Sequence, residues 1–100
     1  MLKLNWIATV SLCALLLVST TQAQEVSRGV LLASMCDTCH GTGGKGAGSM
    51  EDITGVEVAD MIELMKAFAS GEEESTMMGR HAQGYTDEEL QAIAEHYANL

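Results

Sequence analysis

Residues 35–41 read MCDTCHG, two cysteines three positions apart with a histidine directly behind the second. Three chemistries use such a stretch. Cys36 and Cys39 can form a redox disulfide, they can be half of a metal site, or they can carry a covalently attached prosthetic group whose metal meets His40. The rest of the chain has to decide among them.

One hundred residues make at most one small domain. Lys3 gives a short positive start, Ile7 to Val18 form an apolar run, and Thr21-Gln22-Ala23 end in small residues. That pattern predicts a signal peptide over residues 1–23, cleaved after Ala23. Asn5, Thr9 and Ser11 interrupt the run, whereas a spanning helix needs about 20 predominantly apolar residues. No stable membrane insertion is expected after cleavage. Cys13 follows bulky Leu12, and the apolar run continues beyond it, so it does not read as a lipid-attachment site. The expected mature protein, residues 24–100, is exported to the periplasm and keeps only Cys36 and Cys39. Two cysteines so close together do not make a disulfide framework.

Without Lys3 the mature part has 4 basic against 14 acidic residues, a net charge of −10. Such a surface repels nucleic acid and anionic membranes and favours a basic protein partner. At this size a single core is marginal unless something staples it.

Three helices are expected. The first runs from about Val26 to the cysteines, past Val30, Leu31, Ala33 and Ser34. The second covers about Glu57 to Ser70, where Val58, Met61, Ile62, Met65, Phe68 and Ala69 follow the rhythm of one buried face. Gly71 is its stop signal. The third opens on Thr86-Asp87-Glu88-Glu89, a capping box, and buries Leu90, Ile93, Ala94 and Tyr97. No stretch alternates as a strand. Between the helices, Gly41 to Ser49 has five glycines in nine residues, and Glu72 to Thr76 leads into Met77-Met78-Gly79-Arg80. A small chain with two long loops is expected to wrap them around something.

The glycine loop matches G-x-G-x-x-G at Gly41, Gly43 and Gly46. That fingerprint binds a dinucleotide only between a buried strand and a helix, and here it follows Cys-His with no strand. It also fails as a phosphate loop, since Gly46 stands where Ser or Thr should follow Lys45. Zinc needs three or four ligands; Cys36 and Cys39 with two of His40, His81 and His96 would supply them, but no second paired motif supports this. A thioredoxin-like C-x-x-C belongs in a βαβ setting, which the chain lacks. The C-x-x-C-H spacing instead suits one covalently bound haem c. Cys36 and Cys39 add to the two vinyl groups, and His40 reaches the iron from the same side. Export fits, and the thioethers supply the staple.

A sixth iron ligand then has to come from the opposite side, and methionine is the usual choice in electron-transfer cytochromes. Met35 adjoins Cys36, Met61 and Met65 lie on a helical stripe, and Met50 is only ten residues beyond His40. Met77 and Met78 follow His40 by 37 and 38 residues, far enough to reach the other face. Spacing alone does not choose between them.

With these residues in view, the sequence resembles class I cytochromes c. More narrowly it resembles the single-haem cytochrome subunit of flavocytochrome c sulfide dehydrogenase. The matching stretches are Cys36 to Gly41, Met65-Lys66-Ala67-Phe68 with Ser70-Gly71-Glu72, Thr76 to Arg80, and Gly84 to Glu89. The resemblance implies an all-α fold of three main helices wrapped around the haem. It implies axial ligation by His40 and Met78, with Met77 the variable residue of the family's Thr-x-Met-Gly-Arg pattern. Relatives carry a proline whose carbonyl steadies the axial histidine; Glu51 stands in that position, and this chain has no proline.

The resemblance further implies a periplasmic electron-transfer protein that is not catalytic alone. Its partner would be an FAD-containing, sulfide-oxidising flavoprotein, or another redox protein with a basic docking face. A free-standing soluble carrier is the alternative. A haem enzyme or gas sensor, with His81 as another ligand, is a third and different class.

Overall fold

The computed structural model describes residues 27–100. The expected signal peptide lies outside the described residues. Helix α1 spans Arg28–His40, α2 Val58–Ser70, α3 Met78–Ala82 and α4 Asp87–Ala98, with a 3-10 turn over Thr42–Gly44. Among the described residues there is no strand, only an isolated bridge between Ala47 and Met50.

Helix α1 starts two residues later than expected because Ser27 caps it, its Oγ accepting from the Val30 amide at 3.4 Å. Its buried residues are Gly29, Ala33 and Cys36, while Val30 and Leu31 stand exposed. The cause is a close helix crossing. A Cβ at Gly29 would lie 2.7 Å from the carbonyl oxygen of Ala92 on α4, so α1 must present small residues there; Val30 and Leu31 face outward, while Leu32 is half-buried against the core.

Helix α4 forms as its sequence dictates. Thr86 Oγ1 accepts from the Glu89 amide, and Glu89 Oε1 accepts from the Thr86 amide, both at 3.2 Å. These bonds satisfy two donors that the first helical turn leaves open. Leu90, Ile93, Ala94 and Tyr97 are buried. In α2, Met61 and Met65 are buried, and Gly71 ends the helix in the left-handed conformation with φ of 81°. That cap position favours a residue without a Cβ.

Met78 to Ala82 is helical rather than the loop that the composition suggests. The Ser75 hydroxyl accepts from the Gly79 amide at 2.7 Å, and the Met77 carbonyl accepts from the Arg80 and His81 amides. Ala82 is buried against the core, which holds this short turn in place. Helices α1 and α4 cross, α2 packs on both α3 and α4, and one apolar cluster joins all four.

Candidate haem site

The glycine-rich loop returns to the helix it leaves. The Gly46 amide donates to the His40 carbonyl at 2.6 Å, and the Ile53 amide donates to the Gly44 carbonyl at 2.8 Å. This path delivers the Glu51 carbonyl oxygen to 2.9 Å from His40 Nδ1. A carbonyl only accepts, so Nδ1 carries the proton and Nε2 keeps its lone pair. Glu51 stands where the resembling proteins carry a proline, and its carbonyl makes this contact with His40. A proline is not needed for the contact.

Cys36 is buried and Cys39 exposed, and both thiols are free. Burial pushes the Cys36 thiol up from its ordinary range, opposed by the hydroxyl of Tyr97 and reinforced by the charge of Asp37. Among the described residues, no three His, Cys, Asp or Glu side chains converge as a metal-binding group.

Asp37, inside the cysteine motif, has a role the sequence did not disclose. Its Oδ1 accepts from the Tyr97 hydroxyl at 2.6 Å and its Oδ2 from the Gly43 amide at 3.0 Å. The Tyr97 hydroxyl bond is the main cause that holds the Asp37 carboxyl below its usual range. Burial, then the Asp37 bond, push the Tyr97 phenol far up. Tyr97 could be read as buried from its helical stripe; its polar partner, 60 residues away, could not.

Met78 is half-buried and packs against the apolar cluster, whereas Met77 is 71% exposed. His81 is exposed and lies beside Tyr85, with ring centroids 6.2 Å apart. Large apolar side chains remain exposed on the segments that carry the motif residues: Leu31 and Met35 on α1, Met50 in the glycine loop, and Met77 before α3.

Comparison with known proteins then decides the family. A family model described as cytochrome c oxidase, cbb3-type, subunit III, matches residues 25–96. The cytochrome subunit of sulfide dehydrogenase from Chlorobaculum tepidum is 42% identical over 74 residues, covering 74% of this chain and 67% of that protein. The chain belongs to the cytochrome c family. Cytochrome c-553 from Nitratidesulfovibrio vulgaris is 26% identical over 99 residues, covering 94% of this chain and 96% of that protein.

As a cytochrome c the protein carries a covalently bound c-type haem, and the residues present fit that group. Two free thiols lie one helical turn apart on α1. The following histidine has one ring nitrogen engaged and the other open to a metal. Exposed apolar side chains cluster in sequence around both motif segments, as expected where a large apolar group is to be covered. The cytochrome is all-α, as its sequence predicts.

Proposed function

We propose that this cytochrome is an exported one-electron carrier, synthesised with a signal peptide over residues 1–23 and working in the periplasm as residues 24–100. Its haem is attached through Cys36 and Cys39, and its iron is held by His40 and Met78. It serves as the haem subunit that accepts electrons from a sulfide-oxidising flavoprotein. When bound, the haem supplies an iron that gains and loses one electron.

The observation that carries the reading is the His40 Nδ1–Glu51 carbonyl contact of 2.9 Å. Such an outer partner fixes the tautomer, orients the ring and raises the basicity of the nitrogen left for the metal. Half-burial of Met78 against the core supports it over Met77 as the second ligand, since a ligand has to be held by packing. Likeness to a sulfide dehydrogenase subunit supports the flavoprotein partner. Similarity to cytochrome c-553 over nearly its whole length favours a second reading, a free-standing carrier of the same chemistry.

Two experiments test this. Haem should remain with the polypeptide after denaturation in acid and organic solvent, and freely extracted haem would refute attachment at Cys36 and Cys39. Co-expressed flavoprotein should co-purify and reduce the haem when sulfide is added. Lack of both would leave the free carrier.

A further inference from the structure

The Glu51 carbonyl is a backbone atom at the tip of a loop rich in glycine, and glycine gives a loop no stiffness of its own. Something else has to hold it. The loop is gripped at both ends by Tyr97. Near its start, the Tyr97 hydroxyl binds Asp37 Oδ1 at 2.6 Å, and Asp37 Oδ2 accepts from the Gly43 amide at 3.0 Å. The Tyr97 ring lies against the next residue, where a Cβ on Gly44 would be 2.5 Å from ring carbon Cε1. Beyond the tip, the Gly55 amide donates to the Tyr97 carbonyl at 2.9 Å. Tyr97 itself is fully buried on α4.

The Tyr97 hydroxyl has a single proton and two acceptors in reach, Asp37 Oδ1 at 2.6 Å and the Ala33 carbonyl at 2.9 Å. An ionised carboxylate is the stronger acceptor, and the shorter distance agrees. Asp37 is therefore clamped from two sides, by an element distant in sequence and by the loop it precedes.

We propose that Asp37 and Tyr97 are positioning residues for the axial histidine: their hydrogen bond fixes the loop at Gly43 and Gly44, and through it the Glu51 carbonyl that orients the His40 ring. This rests on His40 as the iron ligand. The Gly43 to Glu51 path is short and internally bonded, by Gly46 to His40 and by the reciprocal pair Ala47 and Met50. Displacement at its root is thus carried to its tip. Removing the Tyr97 hydroxyl releases Asp37 Oδ1, lets the carboxylate turn from Gly43, and loosens the contact at Nδ1.

The test follows exchange of the His40 Nδ1 proton with solvent deuterium in the oxidised holoprotein, read by NMR as a signal shifted by the iron. Tyr97→Phe keeps the ring and its packing; it should exchange about fivefold faster or more, the factor set by one ordinary hydrogen bond. Asp37→Ala should do the same, and the double variant should add nothing. Asp37→Asn, which retains an acceptor for Tyr97, should fall between. The midpoint potential should rise in Tyr97→Phe, because a poorly oriented carbonyl leaves the imidazole a weaker donor. Ile93→Val, a buried change on α4 outside the clamp, is the control for general loosening. Equal exchange in wild type, Tyr97→Phe and Asp37→Ala overturns the proposal while leaving the ligand assignment intact. So does equal acceleration in Ile93→Val at a matched loss of Tm. A low-spin spectrum that survives His40→Ala overturns the ligand reading and this proposal with it.

Discussion

His40 Nδ1 lies 2.9 Å from the carbonyl oxygen of Glu51, eleven residues further along the chain. The bond uses backbone, so its existence does not depend on the Glu51 side chain, which is exposed. What depends on residue 51 is how much freedom the loop has in the unfolded chain. Glu51→Pro keeps the carbonyl and removes an amide with no backbone partner in the loop. Proline at a compatible position stabilises by about 0.4–1 kcal/mol, through the unfolded state. The expected outcome is a higher Tm with an unchanged haem spectrum, measured by thermal melts followed in the visible region.

Met77 and Met78 are adjacent but differ in surroundings, one largely exposed and the other packed on the core. A methionine–iron bond gives a weak band toward the red end of the oxidised spectrum. Met78→Ala should abolish that band and lower the midpoint potential. Met77→Ala should leave both intact. Loss of the band in Met77→Ala alone would exchange the two roles. A wild-type spectrum without the band, with the low-spin form lost in His81→Ala, would move the ligand to His81.

The cysteine motif and the helical stripes of α2 and α4 were legible because each is local. A C-x-x-C-H spacing, a capping box and a 3.6-residue rhythm are complete within a few turns of chain. The buried face of α1 was not legible. Gly29 is buried because α4 passes close by, while Val30 and Leu31 stand exposed and Leu32 is only half-buried. The turn of helix at Met78 was missed for a similar reason: it is set by the Ser75 hydroxyl and by burial of Ala82, not by composition. The Asp37–Tyr97 bond spans 60 residues, and no local pattern announces it.

Gly44 and Gly48 separate steric from conformational cost. Both have positive φ, 72° and 60°. A Cβ on Gly44 would meet the Tyr97 ring at 2.5 Å and Ile53 at 2.9 Å, whereas one on Gly48 meets nothing within 4 Å. Gly48→Ala should therefore cost about 1–2 kcal/mol, the left-handed penalty alone. Gly44→Ala adds overpacking of about 1–3 kcal/mol and should disturb Tyr97. Denaturant melts give both values, and equal losses would show that the Tyr97 ring yields freely.

Asp37 should make stability depend on acidity. Its carboxyl titrates below its ordinary value in the folded protein, first because of the Tyr97 hydroxyl. A depressed folded value means that the unfolded chain takes up the proton first. The stabilisation is therefore fully present above the unfolded value of about 3.9 and is lost as pH falls through the lower folded value. Partial exposure of Asp37 keeps the effect modest. The stability gap between wild type and Asp37→Asn should be constant from neutral pH to about 5 and narrow below about 4. A gap unchanged down to the acid limit would mean that the carboxylate charge plays no part in the clamp.

The acidic surface makes the last prediction, which concerns the electron-transfer partner. Fourteen carboxylates face five lysine and arginine residues in the whole chain, and two of the cations are paired, Arg28 with Glu89 at 3.6 Å and Lys66 with Asp87 at 3.3 Å. Glu72, Glu73 and Glu74 are exposed and lie just upstream of Met77 and Met78. A basic docking face on the partner would be steered toward them. Surface charges more than about 8 Å apart are largely screened at physiological salt, so the effect belongs to encounter rates rather than to the bound complex. Association followed by stopped flow should slow as salt rises. Replacing Glu72, Glu73 and Glu74 together by Gln should flatten that dependence and leave the haem spectrum unchanged, because none of the three hydrogen-bonds to His40, Asp37 or Tyr97. Rates indifferent to salt in wild type would exclude a basic partner face. A dependence that survives the triple replacement would move the docking site to another acidic surface of the protein, such as the exposed carboxylates of Asp60 and Glu63 on α2.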